Sequence, residues 1–468
     1  MSKNTDNNIS RRRFLRDLGI FSGAAVAGSA LTMCKSVAAP EKEGKDGEKG
    51  MTMRVNPNSN DTVSILGYGC MRFPTMGLSS GKADDDRLDQ EAINASVDAA
   101  LEGGVNYFDT SPAYCKGNSE AAIGEALSRH PRESYYIATK LSNFAPQTWT
   151  TEASKEMFEN SLKNLRTDYV DYYLLHAIGM GGVDAFNQRY VDNGILPWLV
   201  EQKEKGRIRN LGFSFHGPRK SFDEFMAMMD RGEIHWDFVQ IQLNYMDWLH
   251  AEEGSDSNTN ADYLYSELHK RGIPVVIMEP LLGGRLASVA APVAAKMKER
   301  RPDDSTASWA FRFAGSPEGV LTVLSGMTYM EHLRDNLTTY SPLDPVSDDE
   351  KAFLERCALE ILQNNLVPCT NCKYCMPCPY GIDIPGTFKH YNTCINEGNA
   401  PRDGEDPDYR RARRAFLYGY DRSVPRLRQA TRCISCGTCT SHCPQSIDIP
   451  TELHRIDAYI ESLKQNLI

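Results

Sequence analysis

The chain has 468 residues, 41% of them hydrophobic, and a formal net charge of −10. That length exceeds one ordinary core, so a large domain with a smaller companion is expected. The acidic balance argues against nucleic acid as a partner, because phosphate binding needs a basic face. The one basic run, "RRARRAF" from Arg410 to Phe416, reads as a solvated helix face.

Residues 1–39 read as a leader and not as part of the fold. "SRRRFLR" (Ser10 to Arg16) precedes the small-residue apolar run "GIFSGAAVAGSALTM" and the Ala-containing "SVAAPE". A charged start, a short apolar stretch and a small-residue cleavage site make a secretory signal, too short to span a membrane. The paired arginines resemble the twin-arginine export signal, which implies a periplasmic protein with no transmembrane span once the signal is removed. Cys34 follows the bulky Met33, which argues against lipid attachment there. Residues 40–54, with "EKEGKDGEKG", have the composition of a disordered spacer.

Residues 55–345 alternate β-rich runs with amphipathic helical stretches. The strands are "SILGYG", "VNYFD", "YYIATK", "VDYYLLH", "IRNLGFS", "FVQIQL", "PVVIME" and "VLTVLS". Helical patterns fall over Leu88–Gly103, Ser119–Arg129, Glu152–Leu165 and Gly194–Lys205. Eight such units point to a (β/α)₈ barrel, an α/β fold whose chemistry sits on the loops after the strand C-termini. A doubly wound sheet would want G-x-G-x-x-G after its first strand, and "LGYGCMRFP" lacks it.

Four polar residues occupy those loop and strand-end positions: Asp109, Tyr114, Lys140 and His176. A free tyrosine has a pKa of about 10, and a nearby ammonium is expected to draw it toward useful acidity. Asp109 would pair with Lys140, and His176 would orient a substrate oxygen. Such a set can deliver a proton to a carbonyl oxygen.

"FDTSPAY", "ATK" and "LLH" in this order resemble the aldo-keto reductases, barrel enzymes that move a hydride between NAD(P)H and a carbonyl or alcohol substrate. The resemblance implies Tyr114 as general acid, Asp109 and Lys140 as its tuning pair and His176 as the orienting residue. It also implies nucleotide contacts at Gly69, Met71, Ser214, Gln242, Met278, Gly283, Gly284, Ser325, Gly326, Asp335 and Asn336. Met278 stands where many relatives stack an aromatic ring on nicotinamide. Gly326 and His332 replace the Lys and Arg that grip the extra phosphate of NADP, which leans toward NAD. Free NAD(P)H is scarce outside the inner membrane, so an exported member is expected to hold its nucleotide tightly.

Residues 346–468 begin with the helical run "SDDEKAFLERCALEILQNN" and then collect nine of the thirteen cysteines, eight of them in two motifs. Cys369, Cys372 and Cys375 form C-x₂-C-x₂-C with Cys378-Pro379 beyond. Cys433, Cys436 and Cys439 repeat the pattern with Cys443-Pro444 beyond. Thiolates so spaced wrap three corners of a cubane, and the Cys-Pro cysteine ligates the other cluster. One [4Fe–4S] cluster is therefore expected on Cys369, Cys372, Cys375 and Cys443, and a second on Cys433, Cys436, Cys439 and Cys378. The residues between the motifs read as helical, giving a small helical dicluster ferredoxin-like domain. Zinc prefers a single tetrahedral set, and tight triplets make poor disulfide frameworks. Cys70, Cys115, Cys357 and Cys394 read as ordinary thiols.

A nicotinamide passes two electrons and a cluster one, so the clusters either reach a partner flavoprotein or quinone-linked carrier or are structural. The competing reading makes the tail the function, an electron-transfer module with the barrel as docking scaffold.

Overall fold

The computed structural model describes residues 50–77, 86–254, 257–364, 366–401 and 403–466. The expected leader and most of the expected spacer lie outside the described residues. All eight expected strands form and close into one parallel barrel: β3 (Leu66–Gly69), β4 (Tyr107–Asp109), β5 (Tyr136–Leu141), β6 (Val170–Ile178), β7 (Ile208–Phe215), β8 (Phe238–Gln242), β9 (Val275–Met278) and β10 (Val320–Ser325), with β10 pairing β3. β6 is buried along its whole length, as a strand covered on both faces must be.

Strand side chains alternate between two faces. One row (Tyr107, Ala138, Tyr172, Leu174, Phe238, Val276) packs in the barrel interior, while Phe108, Ile137, Tyr173, Leu175, Val239 and Ile241 join the core under the helices. Continuing the inward row by two residues brings Asp109, Lys140, His176, Ser214, Gln240 and Gln242 to the upper layers of the interior. The β4–β5 register pairs Asp109 with Ala138, so Lys140 stands one inward step above Asp109's partner.

A hairpin that the sequence reading lacks, β1 (Met53–Val55) with β2 (Thr62–Ser64), precedes the barrel and starts inside the stretch read as spacer. It is tied down by Thr52, whose N–H donates to Tyr340 O and whose hydroxyl accepts from Leu343 N, and by Asn56, whose amide donates to Tyr172 Oη. Three-residue strands carry too little alternation to show in sequence.

The helix Asp348–Leu362, opened by a Ser347/Glu350 capping box, buries Phe353, Leu354, Cys357, Ala358 and Ile361 in the barrel's own core. The boundary expected at 345/346 therefore moves: the second core starts at Val367 and joins helices Ile384–Asn396, Tyr409–Ser423 and Ile449–Gln465. The repeated "IDIP" after each cysteine motif has a local cause. Asp383 and Asp448 are N-caps that accept from Gly386 N and Thr451 N, and a proline follows in the first turn of each helix.

Glu350 also takes Arg312, whose side chain is 3% exposed, at 3.0 Å. Burial would raise its pKa, but Arg312, the Ser347 amide and Arg301 hold it down to about 2. That stabilisation is present above its ordinary 4.5 and lost as pH falls toward 2. Glu350→Gln is expected to lower unfolding free energy by about 2 kcal/mol at neutral pH, since buried Arg312 loses the nearer of its two carboxylates and keeps only Asp344 at 3.3 Å. The gap between variant and wild type should narrow in denaturant titrations run at acid pH.

Candidate functional site

Three neighbouring strands and one loop bring the four expected residues together. Lys140 Nζ donates to Asp109 Oδ1 at 2.6 Å and to Thr110 O at 2.8 Å, and both side chains are almost wholly buried. Nζ lies 4.9 Å from the centroid of the Tyr114 ring. Tyr114 reaches the mouth on the turn after β4, held where Tyr114 N donates to Ser111 O and Ala113 N to Ser111 Oγ. Its ring meets that of His176 edge-on at 5.9 Å. His176 Nδ1 lies 2.6 Å from Ser142 Oγ, which in turn contacts Ser111 Oγ at 2.8 Å.

The electrostatics differ from expectation in one respect. Burial pushes the Tyr114 phenol well up, and Asp109, Tyr374 and Glu279 add to this. The field of Asp109 on the phenol outweighs that of Lys140, which Asp109 contacts. Burial likewise drives Asp109 up and Lys140 down, each opposed by the other. Burial, Lys140 and Arg189 keep His176 neutral. The phenol is thus held protonated: a proton donor at neutral pH.

Gln242 is not free for a nicotinamide carboxamide. Its Nε2 donates to Asp247 Oδ2 at 2.6 Å, and its Oε1 accepts from Gln445 Nε2 at 3.0 Å. Gln240, one inward step lower and in register with Ser214, is the glutamine that the sequence reading missed; its Oε1 is buried without a partner. The alternation that made Gln242 inward made Gln240 inward too. Ser214 Oγ accepts from Ala177 N at 2.8 Å.

The other expected nucleotide positions lie along the rim. Met71 sits in the turn Cys70–Arg72 just past β3, not on the strand. A Cβ on Gly69 would press on the backbone of Ser325, and one on Gly326 on the side chain of Arg72. Asn336 Nδ2 donates to Ser325 Oγ, and Asp335 accepts from Ser305 Oγ. Gly283 and Gly284 have the positive φ that a close backbone approach needs (68° and 100°). The backbone that approaches Gly283 is the chain's own, that of Thr370. Tyr374, also unforeseen, belongs to the same loop and packs its ring 6.0 Å from that of Phe144, which lies 4.8 Å from the His176 ring.

Cys369, Cys372, Cys375 and Cys443 line one cavity, walled by Ile384, Phe388, Ile447 and Ile449. Asn371 N donates to Cys369 Sγ. Burial and mutual proximity push Cys369 up to about 11 and Cys372 up to about 12. Cys439 lies in the field of Cys378 and Cys433, and Cys436 is exposed. The donor set and cavity fit a cubane on the first four thiols. Of the remaining cysteines, Cys70, Cys357 and Cys394 are buried, and Cys115 is partly buried.

Residues 66–358 match the model of the aldo/keto reductase family, and residues 368–447 that of a 4Fe-4S dicluster domain. L-galactose dehydrogenase of Arabidopsis thaliana is 26% identical over 333 residues, covering 67% of this chain and 95% of that one. The uncharacterized oxidoreductase YqkF of Bacillus subtilis (strain 168) is 26% identical over 324 residues, covering 65% and 95%. Among solved structures, aldo-keto reductase AKR11C1 from Bacillus halodurans (holo form) matches with a TM-score of 0.51 at 23% identity, covering 66% of this chain and 96% of that one. An aldo-keto reductase from Klebsiella pneumoniae in complex with NADPH gives 0.51 at 21% identity, covering 66% and 95%. At these identities the structures show a shared fold.

Proposed function

Because the chain belongs to the aldo/keto reductase family of oxidoreductases and carries a 4Fe-4S dicluster domain, we propose that it interconverts a small carbonyl compound and its alcohol at the barrel mouth, with Tyr114 giving the carbonyl oxygen its proton. The observation that supports this most is the cluster of Asp109, Lys140, Tyr114 and His176 around one point, with Lys140 Nζ 4.9 Å from the Tyr114 ring. A docking scaffold has no need of a buried ammonium beside a protonated phenol.

The residues divide the work. Asp109 and Thr110 O fix Lys140, which places a positive charge beside the phenol as negative charge develops on oxygen. With the Ser142 hydroxyl donating to Nδ1, neutral His176 carries its proton on Nε2, a donor that orients the carbonyl oxygen. Phe144 and Tyr374 wall the site and limit water. The substrate class is small carbonyls and alcohols.

Two [4Fe–4S] clusters are proposed, one on Cys369, Cys372, Cys375 and Cys443 and the other on Cys433, Cys436, Cys439 and Cys378; each, when bound, passes one electron at a time. Each carbonyl reduced takes two electrons and two protons. A flavoprotein or quinone-linked carrier is the proposed partner of the clusters. The leader motif "SRRRFLR" supports export by the twin-arginine route to the periplasm. Among the described residues, no helix is long and apolar enough to cross a membrane.

The test is anaerobic turnover across a panel of aldehydes and ketones, supplying electrons in parallel from NADH, NADPH and chemically reduced viologen. Alcohol formation from at least one donor is expected. Clusters that cycle normally while no donor yields alcohol would favour the electron-transfer reading instead.

A further inference from the structure

The tail's first cysteine loop does not hang free of the barrel. Arg72, in the turn after β3, donates to Thr370 O and, at 3.5 Å, to Asn371 O. The same arginine lies along Gly326 after β10. Thr370 rests on Gly283, so closely that a Cβ there would collide with its carbonyl. Gln445, two residues past Cys443, exchanges amide hydrogen bonds with Gln242. On the far side, Asn396 Nδ2 donates to Ser288 O at 2.7 Å. These contacts touch the ends of β3, β8, β9 and β10 in turn.

That run of strand ends is the course along which the family resemblance lays a nicotinamide dinucleotide, with Gly283 at the pyrophosphate and Gly326 toward the adenosine. Gly283 is covered by Thr370 and Gly326 by Arg72, and Gln445 closes on Gln242, two residues beyond Gln240, whose Oε1 has no partner. We infer that the segment Cys369–Tyr374 takes the dinucleotide's place as a fixed wall of the barrel site, so that the cluster-loaded protein does not bind NAD(H) or NADP(H). The loop is built for the position. Asn371 and Lys373 adopt positive φ (55° and 67°), which turns the chain tightly between the cysteines and brings Tyr374 back toward Phe144. Neither the Tyr114 nor the Tyr374 hydroxyl has a hydrogen-bond partner among the described residues, and both stand in the field of Asp109.

The inference rests on the barrel reading only for the course of the nucleotide. It also answers a difficulty of that reading: an exported reductase that holds no nucleotide has no need of a tightly trapped one. Its two electrons enter one at a time through the clusters from the flavoprotein or quinone-linked carrier proposed above, while Tyr114 protonates the oxygen and a second proton, from solvent, reaches the carbon.

The experiment uses the anaerobically purified full chain with both clusters present. NADH and NADPH are titrated separately, following nicotinamide fluorescence for binding and visible absorption for the clusters. No saturable binding is expected up to about 1 mM, the top of the usual range for enzyme ligands. Saturable binding of either nucleotide, with or without a change in the cluster absorption, overturns the inference. Gly283→Ala supplies an independent arm: the added methyl should lift the loop and make half of the cluster absorption bleach several-fold faster in air. A bleaching rate equal to wild type would show that the loop is not seated on Gly283, and the inference falls. The functional reading fails differently. Nucleotide-driven alcohol formation would overturn the inference and keep the reductase. Absence of turnover with viologen, without nucleotide binding, would remove the reductase and keep the inference.

Discussion

Tyr114→Phe should lower carbonyl reduction by about 10²–10⁴-fold while leaving the cluster spectrum of the protein unchanged, the range that loss of a positioned proton donor costs. The substitution removes one oxygen at the barrel mouth and no packing volume, so the ring keeps its edge-on contact with His176 at 5.9 Å. The buried pair of Lys140 and Asp109 stays intact, because neither depends on the phenol for a hydrogen bond. A fall in kcat with the substrate KM little changed is the signature expected of a proton delivered in the transition state. The pH profile supplies a second readout. Because burial holds the phenol protonated, wild-type reduction should keep its rate through neutral and mildly alkaline pH and decline only above the ordinary tyrosine range, near 10. A decline centred near neutrality would mean that some other group is the acid. A Phe variant with more than about half of the wild-type rate would remove Tyr114 from the reaction.

Cys443→Ala is expected to remove the cluster of the first motif, although Cys443 follows the second. Iron should fall from about eight to about four per chain, as loss of one cubane of two requires. The structure gives the reason, since Cys443 lines a single cavity with Cys369, Cys372 and Cys375. Additivity makes the assignment decisive. Cys369→Ala should give the same loss, and the double variant Cys369→Ala with Cys443→Ala should lose no more iron than either single change. If the double variant retains almost no iron, the two thiols serve different clusters and the crossed ligation is wrong. The consequence reaches the barrel, because Thr370 and Tyr374 sit inside the affected loop. Loss of this cluster should therefore lower viologen-driven turnover even though the four barrel residues are untouched.

Much of this was legible in the chain. The eight staves announced themselves because they are mostly buried on both faces and read as short β-rich runs, several of them ending in a polar residue. Their places at strand ends put Asp109, Lys140 and His176 at the barrel mouth, and strand alternation, which survives closure into a barrel, turns all three inward. The same period failed to choose between Gln240 and Gln242, which are equally inward; depth along a strand is set by register, and register depends on neighbours far away in sequence. The direction of the Tyr114 shift was missed for a related reason. A charge partner can be guessed from one loop, whereas burial and the opposing charge of Asp109 are properties of the assembled site. Nothing in the sequence placed Arg72 against Thr370, 298 positions apart. The expectation that Cys443 joins the first triplet, by contrast, came from spacing alone, because a three-residue wrap leaves the fourth corner to another segment, and those four thiols line one cavity.

The helix Asp348–Leu362 spends its buried face on the barrel, where Phe353 meets Trp309 at 5.4 Å between ring centroids. The iron-carrying part therefore cannot be severed where its sequence begins to look different. Cutting before Asp348 would strip the larger part of a supporting stave on its outer wall, and cutting after Leu362 would leave the mouth of the barrel without its roof. Neither half is a finished object alone.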